Sequence, residues 1–338
     1  MDIPNVKKEV PGEEGSYSRP KNSLNKGSES DNSSASIKDL LLQHSSYDLL
    51  PISFKVILLD HHLPLKKALA ALLHNGVHYA PLFNSETQKY SGLLSSNDFL
   101  SLIEYFYNKN YDEAIEELDT LEVGQVKKIE QEMGLFSKDR DLIRISPFDS
   151  LNLAANRILS ANSHILPVID RDPITQQDTV VTVLTQYRIL KFLAVNYKAK
   201  STLNITLKEI GIGSYKNILT AKLNDKVMDV VKGFMERRVA AVPILDENQV
   251  VLNVFENHDI MALLKEGDFS ILDHTISDAL MYRSESFEGV HRCQSSDTLK
   301  SIMETIKKEV VNRLIVVDDQ DRLEGIVTLS DLLNYFLK

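Results

Sequence analysis

The chain has little cysteine and no long apolar run. Cys293 is the single cysteine among 338 residues, which excludes an intrachain disulfide and a cysteine-based metal cluster and is typical of a reducing compartment. No stretch reaches the roughly 18 apolar residues that a membrane-spanning helix requires, and the start MDIPNVKKEV lacks the apolar core of a secretory signal. We therefore predict an intracellular protein, cytoplasmic or also nuclear, with no membrane partner.

Charge and missing motifs exclude further classes of protein. The formal net charge of −10 opposes the phosphate contacts that dominate nucleic-acid binding, so no nucleic-acid partner is predicted. The chain has no GxxxxGK[ST] or GxSxG motif, and Gly211-Ile212-Gly213 lacks the third glycine of a dinucleotide loop. His74 and His78 lie four residues apart, but no third zinc ligand is evident in the sequence. These absences favour a non-enzymatic protein without a metal or cofactor.

The first 36 residues differ in composition from the rest of the chain. They hold eight serines and very few large apolar side chains, so they cannot bury enough surface to offset the entropy of ordering. We predict a disordered tail over residues 1–36. Order is expected to begin at Ile37, where IKDLLLQH has helical spacing.

One pattern then occurs four times. Each copy has a helix, a short apolar strand, a polar turn, and a second strand that runs into an amphipathic helix. The strand cores are Ala80-Pro81-Leu82, Leu166-Pro167-Val168, Val242-Pro243-Ile244 and Leu314-Ile315-Val316. Because a sheet of so few strands is unstable alone, the four units are expected to pair and to cover each other's faces.

The repeats divide the chain into predicted domains, of the α/β (α+β) class. Their boundaries are 37–107 for repeat 1, 141–200 for repeat 2, 201–266 for repeat 3 and 267–338 for repeat 4. Between repeats 1 and 2 lies an acidic helical insertion, residues 108–140, with carboxylates at Asp112, Glu113, Glu116, Glu117, Asp119 and Glu122. A solvated helix with a charged outer face explains this insertion better than a catalytic carboxylate pair.

A single position at the start of each last helix carries Asp98, Arg188, Asp259 and Asp331 in turn. These residues recur roughly every 70 to 90 positions, the spacing of a whole structural unit. An acid at a helix start is favoured by the helix dipole, so capping explains any one aspartate well and all three together less well. The series suggests four related sites with unequal chemistry.

These units resemble cystathionine-β-synthase (CBS) domains, which pair into Bateman modules. From about Tyr47 to Lys338 the chain resembles the gamma regulatory subunits of AMP-activated and yeast sucrose-non-fermenting-type protein kinases. The stretches SSYDLLPISFKVILLD, VLTQYRILKFLAVN, FEGVHRC and GIVTLSDLLNY carry this resemblance, as does the arginine at position 188. The resemblance implies two Bateman modules in a disc-like arrangement, with pockets between paired repeats.

In that family the pockets bind adenine nucleotides, and the helix-start aspartate accepts hydrogen bonds from the ribose hydroxyls. A carboxylate suits a vicinal diol because it only accepts, whereas the guanidinium of Arg188 only donates. The resemblance implies phosphate contacts from hydroxyl and amide groups and from arginines, whose planar forks suit phosphate. The predicted nucleotide-binding residues are Asp331, Ser330, Thr328, Arg313, Ser214, Arg283, Asp259, Asp98, Ser95, Asn97, His78 and His164.

Several departures from the family pattern weaken the predicted phosphate contacts. His78 replaces a usual arginine, His164-Ile165 replaces a His-Arg or Arg-Arg pair, and Asn312 replaces the histidine before Arg313. Histidine is mostly neutral at pH 7. Glu256 adds an acid beside the third site, so we expect weaker or fewer nucleotide sites. The pocket with Asp331, Ser330, Thr328, Ser214 and Arg313 is expected to be the best preserved.

The resemblance implies a non-catalytic, nucleotide-sensing regulatory subunit of a heterotrimeric energy-sensing Ser/Thr kinase. Its expected partners are a catalytic alpha subunit and a scaffolding beta subunit, and its expected regulatory ligands are AMP, ADP and ATP. An alternative from another class is an assembly scaffold of the same complex whose nucleotide sites have decayed.

Overall fold

Each of the four repeats folds as an antiparallel hairpin followed by a helix. The computed structural model describes residues 36–50, 55–107, 117, 120–133, 142–161, 163–264, 272–283, 287 and 289–338. The predicted tail, except Ser36, and much of the predicted insertion lie outside the described residues. No helix in the described ranges is long and apolar enough to cross a bilayer.

The strands and helices lie where hydrophobic periodicity predicts them. The strands are β1 (Leu59–Asp60), β2 (Tyr79–Asn84), β3 (Lys89–Ser95), β4 (Ile165–Arg171), β5 (Asp178–Thr185), β6 (Ala241–Leu245), β7 (Val251–Glu256), β8 (Arg292–Cys293), β9 (Arg313–Val317) and β10 (Leu323–Thr328). The helices are α1 (Ile37–Gln43), α2 (Leu65–His74), α3 (Ser96–Tyr107), α4 (Val123–Glu132), α5 (Leu151–Ser160), α6 (Gln186–Asn196), α7 (Leu207–Ile210), α8 (Val227–Arg237), α9 (Asp259–Leu263), α10 (Ile276–Leu280), α11 (Leu299–Lys308) and α12 (Leu329–Leu337).

The four sheets share one topology. The hairpins β2–β3, β4–β5, β6–β7 and β9–β10 are antiparallel. A short parallel pairing lies on the outer edge of each first strand: β1 on β2, Ile145 on Val168, Ala221 on Ile244, and β8 on β9. The repeated sequence pattern thus corresponds to a repeated α+β fold, which confirms the predicted fold class.

Hairpin turns join repeats 1 and 2, and likewise repeats 3 and 4. The N–H of Asp178 donates to the carbonyl of Gln88 at 3.1 Å. In the second pair, the N–H of Val251 donates to Asp321 at 3.0 Å and the N–H of Leu323 donates to Gln249 at 3.1 Å. The sheets of each pair therefore meet at their edges through backbone groups, and between repeats 3 and 4 apolar side chains such as Val251 and Ile315 also pack together.

Helix packing makes the other two contacts between repeats, so that the four repeats form a closed ring of contacts. Helix α3 packs on α8 and α9, which joins repeat 1 to repeat 3, and α6 packs on α11 and α12, which joins repeat 2 to repeat 4. At each of these helix contacts, apolar residues from the two repeats share one core. Ile103 of repeat 1 and Phe234 of repeat 3 are an example. The order of the repeats around this closed set of contacts is therefore 1, 2, 4, 3.

The insertion is more closely integrated into the fold than a solvated helix would be. Val123, Val126 and Ile129 of α4 pack into the core of repeat 1. The side chain of Glu130 is 1% exposed and contacts Lys127. The predicted charged outer face is therefore incomplete, because one acidic residue of α4 points inward. The carboxylates predicted at Asp112, Glu113, Glu116 and Asp119 lie outside the described residues.

Candidate functional site

The helix-start aspartates all cap their helices with one carboxylate oxygen. Oδ2 of Asp259 accepts the N–H of Glu256 at 2.8 Å, and Oδ2 of Asp331 accepts the N–H of Thr328 at 2.8 Å. Oδ2 of Asp98 accepts from the N–H and hydroxyl of Ser95 in the same way. At Asp331 this is the reciprocal bond of a capping box, because the Thr328 hydroxyl also accepts the N–H of Asp331. Because a carboxylate has two oxygens, Oδ1 remains to distinguish the repeats.

A cavity of about 420 Å³ opens between repeats 1, 3 and 4. Its walls combine apolar side chains with two carboxylates, two guanidinium groups and several histidines. They include Leu72, Val77, His78, Val254, Glu256, His258, Asp259, Ala262, Arg283, Phe287, Val290, His291, Asn312, Arg313 and Ile315. A mostly pre-formed pocket with a few convergent polar groups is the usual form of a small-molecule site.

Arg283 holds Asp259 at one wall of the cavity. Nε of Arg283 lies 2.8 Å from Oδ1 of Asp259, and a second guanidinium nitrogen contacts Oδ2. The same guanidinium donates to the side-chain oxygen of Asn253 at 3.0 Å and to the carbonyl of Val254 at 2.6 Å. The ring of Phe287 covers it, with 4.1 Å between the guanidinium carbon and the ring centre. Arg283 is therefore fully ordered before any ligand enters.

Glu256 restrains the second arginine of the cavity. Nε of Arg313 lies 2.9 Å from Oε1 of Glu256, although its N–H does not form an aligned hydrogen bond. Arg313 and Glu256 are therefore close enough for an ion pair, but the N–H bond of Nε does not point at the carboxylate oxygen. Oε2 of Glu256 lies 3.2 Å from Nε2 of His258. A phosphate that approaches Arg313 has to compete with this carboxylate.

His78 contributes a neutral ring to the same wall. Its ring stacks on His258, with 4.2 Å between the ring centres. Surrounding protein atoms and the nearby His258 lower the pKa of His78 below its ordinary value, although Asp259 opposes the shift. The exposure of His78 at the cavity wall limits the size of that shift. His78 is therefore uncharged at neutral pH and adds no positive charge to the cavity.

The pocket predicted around Asp331 is only partly assembled. Oδ2 of Asp331 accepts the hydroxyl of Thr328 at 2.7 Å, while its Oδ1 has no partner among the described residues. Ser330 and Gln186 share two hydrogen bonds, of 2.8 and 3.2 Å. Ser214 pairs with Ile326 through its backbone. Both hydroxyl side chains at the start of α12 therefore already have protein partners.

Arg313 does not join that pocket as the sequence predicts. Its backbone lies opposite Thr328 in the β9–β10 pairing, but its guanidinium contacts Glu256 and lines the cavity that contains Asp259. The spacing of Arg313 from Asp331 in the sequence does not reveal this contact, because Glu256 belongs to another repeat.

The remaining predicted residues lie elsewhere. Asp98 contacts Lys127 of α4, and the side chain of Asn97 accepts from that of Asn257 at 2.6 Å. His164 lies at an exposed position before β4 with φ of 53° and does not line the cavity. Arg188 folds back on its own strand and donates to the Thr182 hydroxyl and the Val183 carbonyl, each at 3.1 Å. The twelve predicted residues are therefore not gathered in one place.

Sequence reasoning missed Lys127, Gln186 and Phe287. Each contacts a predicted residue, but two of these contacts join distant parts of the chain. Gln186 lies 144 positions from Ser330, and Lys127 lies 29 positions from Asp98. Only Phe287, four residues after Arg283 in a segment already singled out, carried a local signal. No group of His, Cys, Asp and Glu in the described part of the chain is arranged to hold a metal ion.

Comparisons with known proteins agree with this architecture. The CBS domain family matches residues 208–266 and 288–338. The crystal structure of protein MJ1225 from Methanocaldococcus jannaschii superposes with a TM-score of 0.67 at 16% identity, covering 87% of this chain and 100% of that chain. At that identity, the likeness shows a shared fold.

Two curated proteins are much more similar in sequence, and both are named 5'-AMP-activated protein kinase subunit gamma. The protein of Saccharomyces cerevisiae is 39% identical over 302 residues, which is 89% of this chain and 92% of the relative. That of Kluyveromyces lactis is 40% identical over 303 residues, 89% and 91% of the two chains. Since the match spans nearly the whole of both relatives, the chain belongs to the family of gamma subunits of 5'-AMP-activated protein kinase.

Proposed function

We propose that this chain is the nucleotide-sensing, non-catalytic subunit of a heterotrimeric protein kinase, and that the cavity with Asp259 is one of its nucleotide sites. The observation that carries the proposal is the convergence of a carboxylate and two guanidinium groups, Arg283 and Arg313, on one cavity. The carboxylate matches a ribose diol, and the arginines match phosphate. The catalytic alpha and scaffolding beta subunits are its proposed partners.

The contacts of Asp259 support a preorganised ribose site. Oδ2 caps α9, while Oδ1 faces Nε of Arg283 at 2.8 Å and retains a second lone pair for a hydroxyl group. The side chain of Asp259 is 3% exposed, so its orientation does not depend on solvent. A ribose hydroxyl would therefore meet an acceptor that is already fixed, which lowers the entropy cost of binding.

The remaining walls suit the other parts of a nucleotide. Apolar side chains such as Leu72, Val77 and Ile315 line the cavity and suit an adenine ring. Arg313 is the cation available for phosphate, provided that it leaves Glu256. Competition among AMP, ADP and ATP would then regulate the kinase if these ligands bind its active and inactive assemblies with different affinities.

The geometry also favours a second candidate function, that of an assembly platform with reduced nucleotide binding. Glu256 occupies Arg313, and neutral His78 stands where the family carries an arginine. Both features lower the positive charge of the cavity. A pure platform would bind the other two subunits and keep the kinase output unchanged by AMP.

Titration calorimetry of the heterotrimer with AMP, ADP and ATP tests the sensor function. We expect saturable binding that is weakened at least tenfold in a variant with Arg313→Gln and Glu256→Gln together. The double change removes the cation without leaving a buried carboxylate unpaired. Absence of binding by all three nucleotides to the unaltered complex would overturn the proposal and favour the platform function.

A further inference from the structure

We propose that Lys127 of the insertion is a built-in occupant of the repeat 1 site, so that Asp98 binds an internal ammonium group instead of a nucleotide ribose. This inference rests on the proposed function, because it concerns which of the related sites accept a ligand. It makes Lys127 a residue that determines the number of nucleotide sites, and it assigns the insertion a role in that selection.

The first support is the saturation of the Asp98 carboxylate. Its Oδ2 accepts from the N–H and hydroxyl of Ser95, and its Oδ1 accepts from Nζ of Lys127. The ammonium group also donates to Oε2 of Glu130 at 3.0 Å. A ribose diol would have to compete for Oδ1 with a charged donor, which forms a stronger hydrogen bond than a hydroxyl group.

Burial makes this occupant hard to displace. The side chains of Asp98 and Glu130 are 4% and 1% exposed, whereas that of Lys127 is 41% exposed. Removal of the ammonium group would leave the Asp98 carboxylate without its cation in a poorly solvated place. Such an uncompensated buried charge is strongly unfavourable. A neutral sugar hydroxyl cannot supply the missing positive charge.

The second, independent support is the way α4 is fixed to repeat 1. The N–H groups of Val123 and Gly124 donate to the carbonyls of Leu63 and His61, each at 3.0 Å. Gly124 lies so close to the ring of His61 that a Cβ atom there would fall 2.2 Å from Nε2. The start of α4, four residues or fewer from Lys127, is therefore held in a fixed position against Leu63 and His61.

Apolar packing holds the rest of the helix in place. Val123, Val126 and Ile129 are 0%, 1% and 7% exposed and contact the core that contains Phe99 and Phe106 of α3. Lys127 adjoins this apolar face, and Asp98 belongs to α3 itself. The packing of α4 on α3 thus places Lys127 where its side chain reaches Asp98, at the start of α3.

The other aspartates lack such an occupant. At Asp259 the cation is Arg283, which forms part of an open cavity wall. At Asp331, Oδ1 has no partner among the residues that the structure describes. The three sites therefore differ in the group that meets Oδ1: a lysine of the insertion at Asp98, an arginine of the cavity wall at Asp259, and no described residue at Asp331.

The experiment uses the heterotrimer with the full-length chain and AMP as the probe. Lys127→Met keeps the length of the side chain and removes its charge, and Glu130→Gln in the same chain removes the acid left behind. We expect this double variant to bind one more AMP per complex than the unaltered protein. Photolabelling with 8-azido-AMP should then reach the peptide containing Asp98, which it does not reach in the unaltered complex.

The matched control is Lys128→Met, because Lys128 is the neighbouring lysine and is exposed. It should leave both the stoichiometry and the labelling pattern unchanged. Labelling of the Asp98 peptide in the unaltered complex would overturn the proposal. So would a folded double variant that gains no site.

Amine labelling of the unaltered protein, measured by mass spectrometry, decides the matter if the double variant does not fold. We expect Lys127 to react at least tenfold more slowly than Lys128 and to be insensitive to saturating AMP. Equal reactivity of the two lysines, or a change at Lys127 on AMP addition, would overturn the proposal. If the unaltered complex binds no AMP at all, the proposed function fails, while amine labelling still tests the internal contact.

Discussion

Repeats 1 and 3 place an aspartate at the same point of the same fold and surround it differently. Asp98 and Asp259 both cap a helix through Oδ2. The second oxygen of Asp98 contacts Lys127 of the insertion. The second oxygen of Asp259 contacts Arg283, which lies at the wall of a cavity. The comparison teaches that the repeated fold determines the cap, whereas the neighbour of Oδ1 determines whether a ligand can use the carboxylate.

The largest expected effect comes from removing Arg283, the cation that pairs with Asp259 of repeat 3. Arg283→Met should lower the free energy of unfolding by about 3–5 kcal/mol, because it leaves the carboxylate of Asp259 buried and unpaired. Urea unfolding of the isolated chain measures the change. Arg322→Met is the control, since Arg322 is half exposed and pairs with Asp318 on the surface, where an ion pair contributes less than about 1 kcal/mol. Equal losses in the two variants would contradict this account of repeat 3.

The corresponding charge cluster of repeat 1 should respond to pH. Burial and the nearby Asp98 raise the pKa of Glu130 to about 8, although Lys127 opposes the shift. A raised pKa in the folded state stabilises the protein fully below the ordinary glutamate value, and that contribution is lost as the pH rises through the folded value.

The melting temperature should therefore fall, relative to that of Glu130→Gln, as the pH rises from 5 to 8.5. Glu132→Gln changes an exposed carboxylate of the same helix and should keep the pH dependence of the unaltered chain. Calorimetric scans at a series of pH values give the comparison. A constant difference between the unaltered chain and Glu130→Gln over this range would show that Glu130 does not titrate there.

A smaller effect, in the opposite direction, is expected for Glu256 of repeat 3. Glu256→Gln should increase the affinity for AMP about tenfold, or ~1.4 kcal/mol, because Arg313 loses its competing carboxylate. Calorimetric titration measures the affinity. Glu309→Gln is a suitable control, since Glu309 is a half-exposed carboxylate 3.2 Å from His291 near the same cavity. An unchanged affinity in Glu256→Gln would mean that Arg313 takes no part in phosphate binding.

The smallest effect should appear at repeat 4, whose aspartate carries no cation among the described residues. Asp331→Ala removes the capping-box partner of Thr328 and should lower the free energy of unfolding by about 1 kcal/mol. Asp331→Asn keeps one oxygen for the cap and should cost less. If the carboxylate binds ribose, both variants lose AMP sensitivity of the kinase; if the chain is a platform, both keep the kinase output unchanged.

Local features of the fold could be predicted from the sequence. The helix beginning at Ile37 and the strand cores around Pro81, Pro167 and Pro243 lie where expected, because hydrophobic spacing reflects local geometry. β4 ends at Arg171, which pairs with Asp178 at 2.7 Å across the hairpin.

The contacts of the site could be predicted much less well. Arg283 and Arg313 both line the cavity that contains Asp259, whereas the sequence places Arg313 beside Asp331 and gives no sign of the inward face of α4. Such contacts join residues that the chain brings together only after the repeats have packed. The bond between Asn97 and Asn257, which are 160 positions apart, is one case. Periodicity carries no information about partners at that separation.

The hairpin turns that join neighbouring repeats have a consequence for the divergence of this protein. Gln88, Gln249 and Asp321 offer backbone carbonyls to the adjoining strand, and a carbonyl group is present whatever the side chain. The contact between neighbouring repeats therefore uses no side chain at these positions, and it is the positive φ of Gln88, Gln249 and Asp321 (56°, 67° and 58°) that limits which residues can occupy them. Four copies of one unit could thus acquire a lysine-filled site, an arginine-walled cavity and a partly open carboxylate while the ring that holds them stayed closed.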